Sequence, residues 1–116
     1  MYKVVYNACY GGFSLSNKAV DWLLNNAADD NLKEYIKQSI DNTLSRYLGM
    51  VVADWFRNKR HHKDLVAVVE ALGDKANGEC AALDIATISG NQYRIEKYDG
   101  AEEVVSPEDS NWVIID

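Results

Sequence analysis

The apolar positions of this chain change their spacing twice along the sequence. A short run of β-forming residues, Lys3–Ala8, stops before two glycines and predicts a first strand. Ser16 then stands at the position of a helix N-cap, with Leu15 and Val20 spaced to pack against each other around it. The predicted strand therefore enters the first helix through a joint at Cys9–Ser16.

The middle of the chain shows helical spacing. The core face of the first helix should consist of Ala19, Val20, Leu23, Leu24 and Ala27, with Trp22 beside it. Asp29-Asp30-Asn31 breaks this pattern and supplies a cap for a second helix. Apolar residues then recur every four positions, at Leu32, Ile36, Ile40, Leu44 and Leu48. This recurrence predicts one helix that ends at Gly49 in the left-handed region.

Two further segments complete the helical part of the chain. Met50–Phe56 is apolar apart from Asp54, and so short a run fits either a buried strand or a helix; we favour the helix. A third helical pattern covers Leu65–Ala76, with Asn77-Gly78 as its stop and Gly73 as a point where it could end early.

The final third has the short apolar runs and turn residues of strands. The predicted strands are Cys80–Ile88, Gln92–Tyr98, Glu102–Val105 and Trp112–Ile115. The first two are expected to pair as a hairpin through Ser89-Gly90-Asn91, and Asp99-Gly100 is a second turn signal. The only proline, Pro107, lies in the loop before the last predicted strand.

This order of elements predicts a single α+β domain over residues 1–116: an N-terminal strand, three or four helices, and a C-terminal antiparallel β-meander packed on the helices. A chain of 116 residues that is 47% apolar can bury about two-thirds of its unfolded surface around one core. No apolar run approaches the ~18 residues of a membrane span, so we predict a cytoplasmic protein without membrane association. Cys9 and Cys80 lack CxxC spacing, which predicts free, buried thiols.

The formal net charge of −6 is unevenly distributed. After Ala76, nine acidic residues stand against only Arg94 and Lys97, so this part should repel nucleic acid and no direct nucleic-acid binding is expected. Positive charge is concentrated in the basic stretch, residues 57–63. For both regions the alternative is an ordinary solvated face.

Four blocks of this sequence resemble a family of small uncharacterised proteins of phages, prophages and large viruses. The blocks are Asn7–Ser16, which contains CYGGFSLS, Arg60–Gly73, Ala76–Ile85 and Tyr93–Gly100. The resemblance implies a phage or prophage origin, and hence the cytosol of a bacterial host, but it implies no activity and no catalytic residues. The stretch between Trp22 and Arg57 is longer than in the family, and Val104–Asp116 differs from the common end.

The joint is a candidate anion site. A strand that turns through Gly11 and Gly12 into a helix N-terminus can direct several backbone N–H groups at one point, at the positive end of the helix dipole. Ser14 and Ser16 could add hydroxyl donors. The loop has neither the lysine of a Walker-type loop nor GxGxxG spacing. The structural alternative is that the glycines form a tight turn while Tyr10 and Phe13 fill the core.

The basic stretch is the other candidate site. If the fold brings Arg57, Arg60, His61 and His62 near the two glycines and Tyr10, together they would form a pocket for a nucleotide or another phosphorylated molecule. Adjacent histidines rarely face one point, and neither CxxC nor HxxxH spacing is present. We therefore predict no metal and no cofactor.

The sequence contains no complete catalytic signature, so no catalytic residue is assigned and a non-enzymatic role is favoured. A cysteine hydrolase built from Cys9, one of the two histidines and Asp64 is the enzymatic alternative. The preferred hypothesis is a phage accessory protein that binds a host or defence protein, with the acidic final third steering the encounter and Tyr98 or Trp112 as an anchor. The alternative is a nucleotide binder or hydrolase that uses the joint and the basic stretch. The oligomeric state is left open.

Overall fold

The computed structural model, which describes residues 1–107 and 115, has an α+β fold. In chain order its elements are β1 (Tyr2–Asn7), α1 (Asn17–Asn26), α2 (Asp30–Asn42), α3 (Ser45–Trp55), α4 (Lys63–Leu72), a 3-10 turn (Gly73–Ala76), β2 (Leu83–Ile88), β3 (Arg94–Tyr98) and β4 (Ala101–Val105). The predicted fold class is confirmed, with four helices and C-terminal antiparallel strands. The strand predicted for Trp112–Ile115 lies outside the described residues apart from Ile115, which is exposed.

The strands form two small antiparallel sheets. Strand β1 pairs with β2, with Tyr2 opposite Ile88, and β3 pairs with β4 as a hairpin. The predicted hairpin between β2 and β3 is therefore wrong. The tight turn lies instead at Asp99 and Gly100, whose φ values of 51° and 90° suit the two positive-φ positions of a type I′ hairpin turn. Strand β2 pairs along one edge of β1, and Val4 in β1 is fully buried.

The long second helix predicted through Leu48 is wrong, because the chain breaks at Thr43 and restarts at Ser45. A repeat of four residues rotates by about 40° at each step on a helix with 3.6 residues per turn, so the apolar stripe drifts off the core face. Ile40 and Leu44 are accordingly 43% and 64% exposed. The break resets the helical register, and Leu48 returns to the core on α3.

Gly49 lies inside α3 and does not end a helix, contrary to the prediction. A side chain at this position would collide with the carbonyl of Leu15, and the Leu15 N–H donates to the Gly49 carbonyl at 3.3 Å. The glycine is needed for this close approach between the joint and α3. The helix favoured for Met50–Phe56 is confirmed as far as Trp55.

The predicted caps and the core face of α1 are confirmed. Ser16 accepts a hydrogen bond from the Ala19 N–H, and Asp29 accepts from the first turn of α2. Ala19, Val20, Leu23 and Ala27 are buried, while Trp22 and Leu24 pack partly buried against the core. Gly73, with φ 56°, ends α4 early. No helix in the described part of the chain is long and apolar enough to cross a membrane.

Both cysteines are free, but the prediction that they are buried is wrong. Cys80 is exposed and has φ 64°, in a turn before β2 and not within the predicted strand. Cys9 is half-buried just after β1. The Cys80 backbone packs directly against Gly11, where a side chain would collide with the Cys80 carbonyl.

Candidate functional site

The end of the joint, residues 14–16, is held between α3 and the turn that follows α4. The Ser16 N–H donates to the Ala76 carbonyl at 2.9 Å, and the Gly78 N–H donates to the Ser14 carbonyl at 3.1 Å. Leu15 forms an isolated antiparallel bridge with Asn77. These bonds fix the joint as one wall of a cleft with a volume of about 540 Å³. That volume is within the usual range for small-molecule sites.

Glycines are prominent among the residues that line this cleft, which we call the glycine cleft. Four glycines line it: Gly11, Gly12, Gly49 and Gly78. Backbone N–H groups at Gly11, Gly12 and Phe13 donate to no acceptor among the described residues. These three residues line the cleft, and main-chain N–H donors in such a lining favour an anionic ligand.

Cationic side chains reach the same cleft from two distant parts of the sequence. Arg46 comes from α3, Arg57 from the turn after α3, and Lys97 from β3, whereas Glu79 is the one acid among the lining residues that the structure describes. Arg57 also forms an exposed ion pair with Asp54, which raises the pKa of Arg57 above its ordinary value. In a chain of net charge −6 the glycine cleft is thus locally cationic.

Arg60 lines the cleft and is almost fully buried. Its Nη1 and Nη2 atoms bond Glu102 Oε1 and Oε2 at 2.6 and 2.8 Å, and its guanidinium lies over the Phe13 ring at 3.8 Å. Its carbonyl accepts the Val5 N–H at 2.9 Å, so the residue also pairs with the free edge of β1. Arg60 Nε has no hydrogen-bond partner in the described part of the chain. The Arg60 charge is therefore largely compensated by Glu102.

Asn7 completes the buried polar cluster behind the cleft. Its N–H donates to Glu102 Oε1 at 2.8 Å, and its side-chain amide donates to the carbonyls of Cys9 and Gly100 at 2.8 and 3.2 Å. Its Oδ1 accepts the Ala82 N–H at 2.9 Å. The cluster joins β1, the segment before β2, and the β3–β4 hairpin. A buried hydrogen-bond network of this kind stabilises one specific arrangement, because moving any one residue would leave the polar groups of the others buried without partners.

Two opposing influences act on the pKa of Glu102. Burial alone would raise it, but the hydrogen bonds from Arg60 and from the Asn7 N–H, with the positive charges of Arg60 and Lys97, lower the pKa below its ordinary value. Lys97 Nζ lies 3.8 Å from Glu102 Oε2. Glu102 is thus held as a carboxylate, and Lys97 connects it to the rim of the cleft.

The joint supplies fewer free donors than its sequence suggests. The Ser16 hydroxyl accepts from Ala19 and donates to the Lys75 carbonyl at 2.5 Å, so it caps α1 and ties the joint to the 3-10 turn. The N–H groups of Leu15 and Ser16 are also used within the fold. Of the serines, Ser14 remains buried against Gly78 at the cleft wall.

The structure brings together six of the nine residues predicted for a site. Gly11, Gly12, Ser14, Ser16, Arg57 and Arg60 line the glycine cleft. The other three lie elsewhere. The structural alternative placed Tyr10 and Phe13 in the core. Phe13 does pack against the core, but Tyr10 is 69% exposed.

The two adjacent histidines face different surroundings. His61 Nδ1 hydrogen bonds the Tyr93 hydroxyl at 2.7 Å. His62 Nδ1 accepts the Asp64 N–H as the cap of α4, while its Nε2 bonds Asp29 Oδ2 at 3.0 Å and thereby lowers the pKa of Asp29. Within the described residues no group of three His, Cys, Asp or Glu side chains could hold a metal ion.

The residues considered for a cysteine hydrolase are not assembled in the described part of the chain. Neither histidine hydrogen bonds Cys9, and the Asp64 carboxylate accepts the N–H groups of Ala28 and Asp29 at 2.9 and 3.0 Å. Asp64 thus holds the connection between α1 and α2 and orients no catalytic base.

A second cavity of about 520 Å³ adjoins the glycine cleft. The two cavities share Arg57, Arg60 and Lys97, and the second extends past Tyr93 and Arg94. We call it the tyrosine cavity. It places β3, a strand of the predicted acidic meander, next to the basic stretch, which the charge pattern alone did not indicate.

Among the cleft residues that the sequence did not single out as site residues are Arg46, Gly49 and Lys97. Lys97 stands in an acidic segment, and Arg46 stands in the last turn of the long helix predicted to end at Gly49. A usable signal existed at Gly49, because a glycine inside a helical pattern often marks a close backbone approach.

The fold and the cleft together define a small α+β protein with a cationic, glycine-walled concave surface. Comparison with protein-family models, curated proteins and solved structures finds no match to this chain. The resemblance to phage and viral proteins stays a prediction.

Proposed function

We propose that this protein binds a phosphorylated small molecule, in the simplest case a nucleotide, in the glycine cleft. The proposal rests on one observation: Arg57 and Lys97 line the same cavity as the Gly11-Gly12 turn. The guanidinium and ammonium groups supply charge, and the glycine backbone supplies directional N–H donors close to the ligand. The cleft volume of about 540 Å³ also suits a molecule of this size.

Binding without turnover fits the groups present. Among the described residues that line the cleft there is no histidine or cysteine, and Glu79 is the only carboxylate. Phosphoryl transfer would need a positioned base or metal, and neither is formed by these lining residues.

The test is calorimetric titration and thermal unfolding with 5′-mononucleotides and the matching nucleosides. A nucleotide at 100 times its dissociation constant should add about 2.7 kcal/mol to the free energy of unfolding, whereas the nucleoside should add far less. Lys97→Ala should weaken binding, and Lys37→Ala, which removes an equal charge from an exposed site on α2, should not. Equal binding of nucleotide and nucleoside, or no binding of either, would contradict the proposal.

A second candidate is binding of a protein partner, which the resemblance would make a host or defence protein. It is favoured by exposed apolar side chains where α2 meets α3: Ile40, Leu44, Tyr47 and Met50. Exposed apolar residues that gather in one region often form interfaces. A partner protein that wild type captures in a pull-down should then be lost by Leu44→Asp and retained by Arg57→Ala. Equal capture by both variants would argue against this surface.

A further inference from the structure

The glycine cleft and the tyrosine cavity meet at a shared set of cations. Arg57, Arg60 and Lys97 line both cavities, and of these Arg57 and Lys97 have side chains that are 58% and 49% exposed. The cavity volumes are similar, about 540 and 520 Å³. Each is therefore large enough for one nucleoside, and the three shared cations lie where the two cavities meet.

The tyrosine cavity differs from the glycine cleft in what it offers a ligand. Tyr93 provides an aromatic ring oriented by its hydrogen bond to His61, and burial raises the pKa of its hydroxyl. Arg94 adds an exposed cation at the far side. An aromatic ring beside a cationic rim is the usual arrangement for stacking a base next to a phosphate.

The ion pairs at these cations differ in strength. The pairs Arg57–Asp54 and Arg94–Glu96 have all four side chains at least half exposed, so water already screens them and a phosphate can replace the carboxylate. The pair Arg60–Glu102 is buried and remains intact beneath them. The junction can thus take up an added negative charge at Arg57 and Arg94 while the Arg60–Glu102 pair stays intact, and Lys97, 3.8 Å from Glu102 Oε2, can contact both the phosphate and Glu102.

We infer that the full ligand is a dinucleotide, with one nucleoside in each cavity and its linking phosphodiester at Arg57 and Lys97. This inference rests on the proposed function, since it assigns the glycine cleft to one half of the same ligand. It adds the tyrosine cavity as the second subsite and Tyr93 as the stacking surface for the second base.

The experiment compares, by calorimetry at low salt, the four common 5′-mononucleotides with the dinucleoside monophosphates built from the same bases. At least one dinucleoside monophosphate should bind roughly tenfold more tightly than any mononucleotide, the order expected for one added charge-assisted or stacking contact. Arg94→Ala and Tyr93→Leu, at residues that line the tyrosine cavity and not the glycine cleft, should remove that gain and leave mononucleotide affinity in the glycine cleft unchanged. Arg94 is exposed, so its variant tests the subsite even if Tyr93→Leu disturbs the fold.

Three results would overturn the inference, and they are distinguishable. If mononucleotides bind and dinucleotides bind no better, the second subsite is refuted and the proposed function stands. If neither class binds, both fall together. If affinity keeps rising with oligonucleotides longer than two units, the ligand is single-stranded nucleic acid and the limit of two nucleosides is wrong.

Discussion

Arg60 and Glu102 form a bidentate ion pair with side chains only 2% and 1% exposed, and this pair connects the turn before α4 to β4. Removing one partner leaves the other charge buried and unpaired. Glu102→Gln should therefore lower the free energy of unfolding by roughly 3–5 kcal/mol. The measurement is equilibrium denaturation in urea, with Glu96→Gln as control because the Arg94–Glu96 pair is exposed and should contribute less than about 1 kcal/mol.

The same pair can be removed as a unit. Arg60→Met combined with Glu102→Leu eliminates both buried charges, so the double variant should be more stable than Glu102→Gln alone. Recovery should be incomplete, because the Asn7 N–H then loses its acceptor. A Glu102→Gln variant as stable as the control would contradict the structural role of the pair.

Stability should also fall in acid because of Glu102. Its pKa is lowered in the folded protein, so the carboxylate contributes stability above the ordinary glutamate pKa, and that contribution is lost as pH falls through the lowered value. Asp29, whose pKa is lowered mainly by the hydrogen bond from His62, acts in the same direction. The difference in the free energy of unfolding between wild type and Glu102→Gln should shrink as the pH falls from about 5 to about 2. Urea denaturation at each pH measures this difference. A difference that stays constant over this range would exclude Glu102 as its source.

Local chemistry made part of this structure predictable. Ser16 as the cap of α1 and Gly73 as the end of α4 follow from short-range rules that the sequence carries directly. Strand pairing was not predictable in this way. All four helices lie between β1 and β2 in the sequence, so no turn residue indicates that the two strands pair. Their pairing depends instead on how the helices pack and on which strand edges that packing leaves exposed.

The candidate site shows the same division between local and long-range information. The glycine turn and Arg57 could be singled out from composition and spacing alone. Lys97 could not, because its approach to the cleft follows from the attachment of the β3–β4 hairpin to β1 through Glu102 and Asn7. In sequence, Glu102 is only one of many acids in the final third.

Gly49→Ala tests the close approach of the joint to α3. In an exposed helix this substitution would stabilise by about 1 kcal/mol, since alanine has the higher helix propensity. Here the added methyl group would meet the Leu15 carbonyl, so we expect a loss of roughly 1–3 kcal/mol and weaker ligand binding in the glycine cleft. Ser45→Ala, at the exposed start of the same helix, is the matched control. A Gly49→Ala variant with a higher free energy of unfolding than wild type would mean that the joint does not approach α3 this closely.

Asp64→Ala tests whether this buried carboxylate is structural. Asp64 accepts the N–H groups of Ala28 and Asp29, and losing both bonds leaves two donors without partners at the connection between α1 and α2. We expect the free energy of unfolding to fall by roughly 1–3 kcal/mol, and by less for Asp64→Asn, whose single carbonyl oxygen can keep one bond. Hydrogen exchange should show faster exchange at the amides of Ala28 and Asp29 in particular, and Asp41→Ala, at an exposed carboxylate on α2, should leave both unchanged. If protection of these two amides survives in Asp64→Ala, the connection is held by something other than this carboxylate.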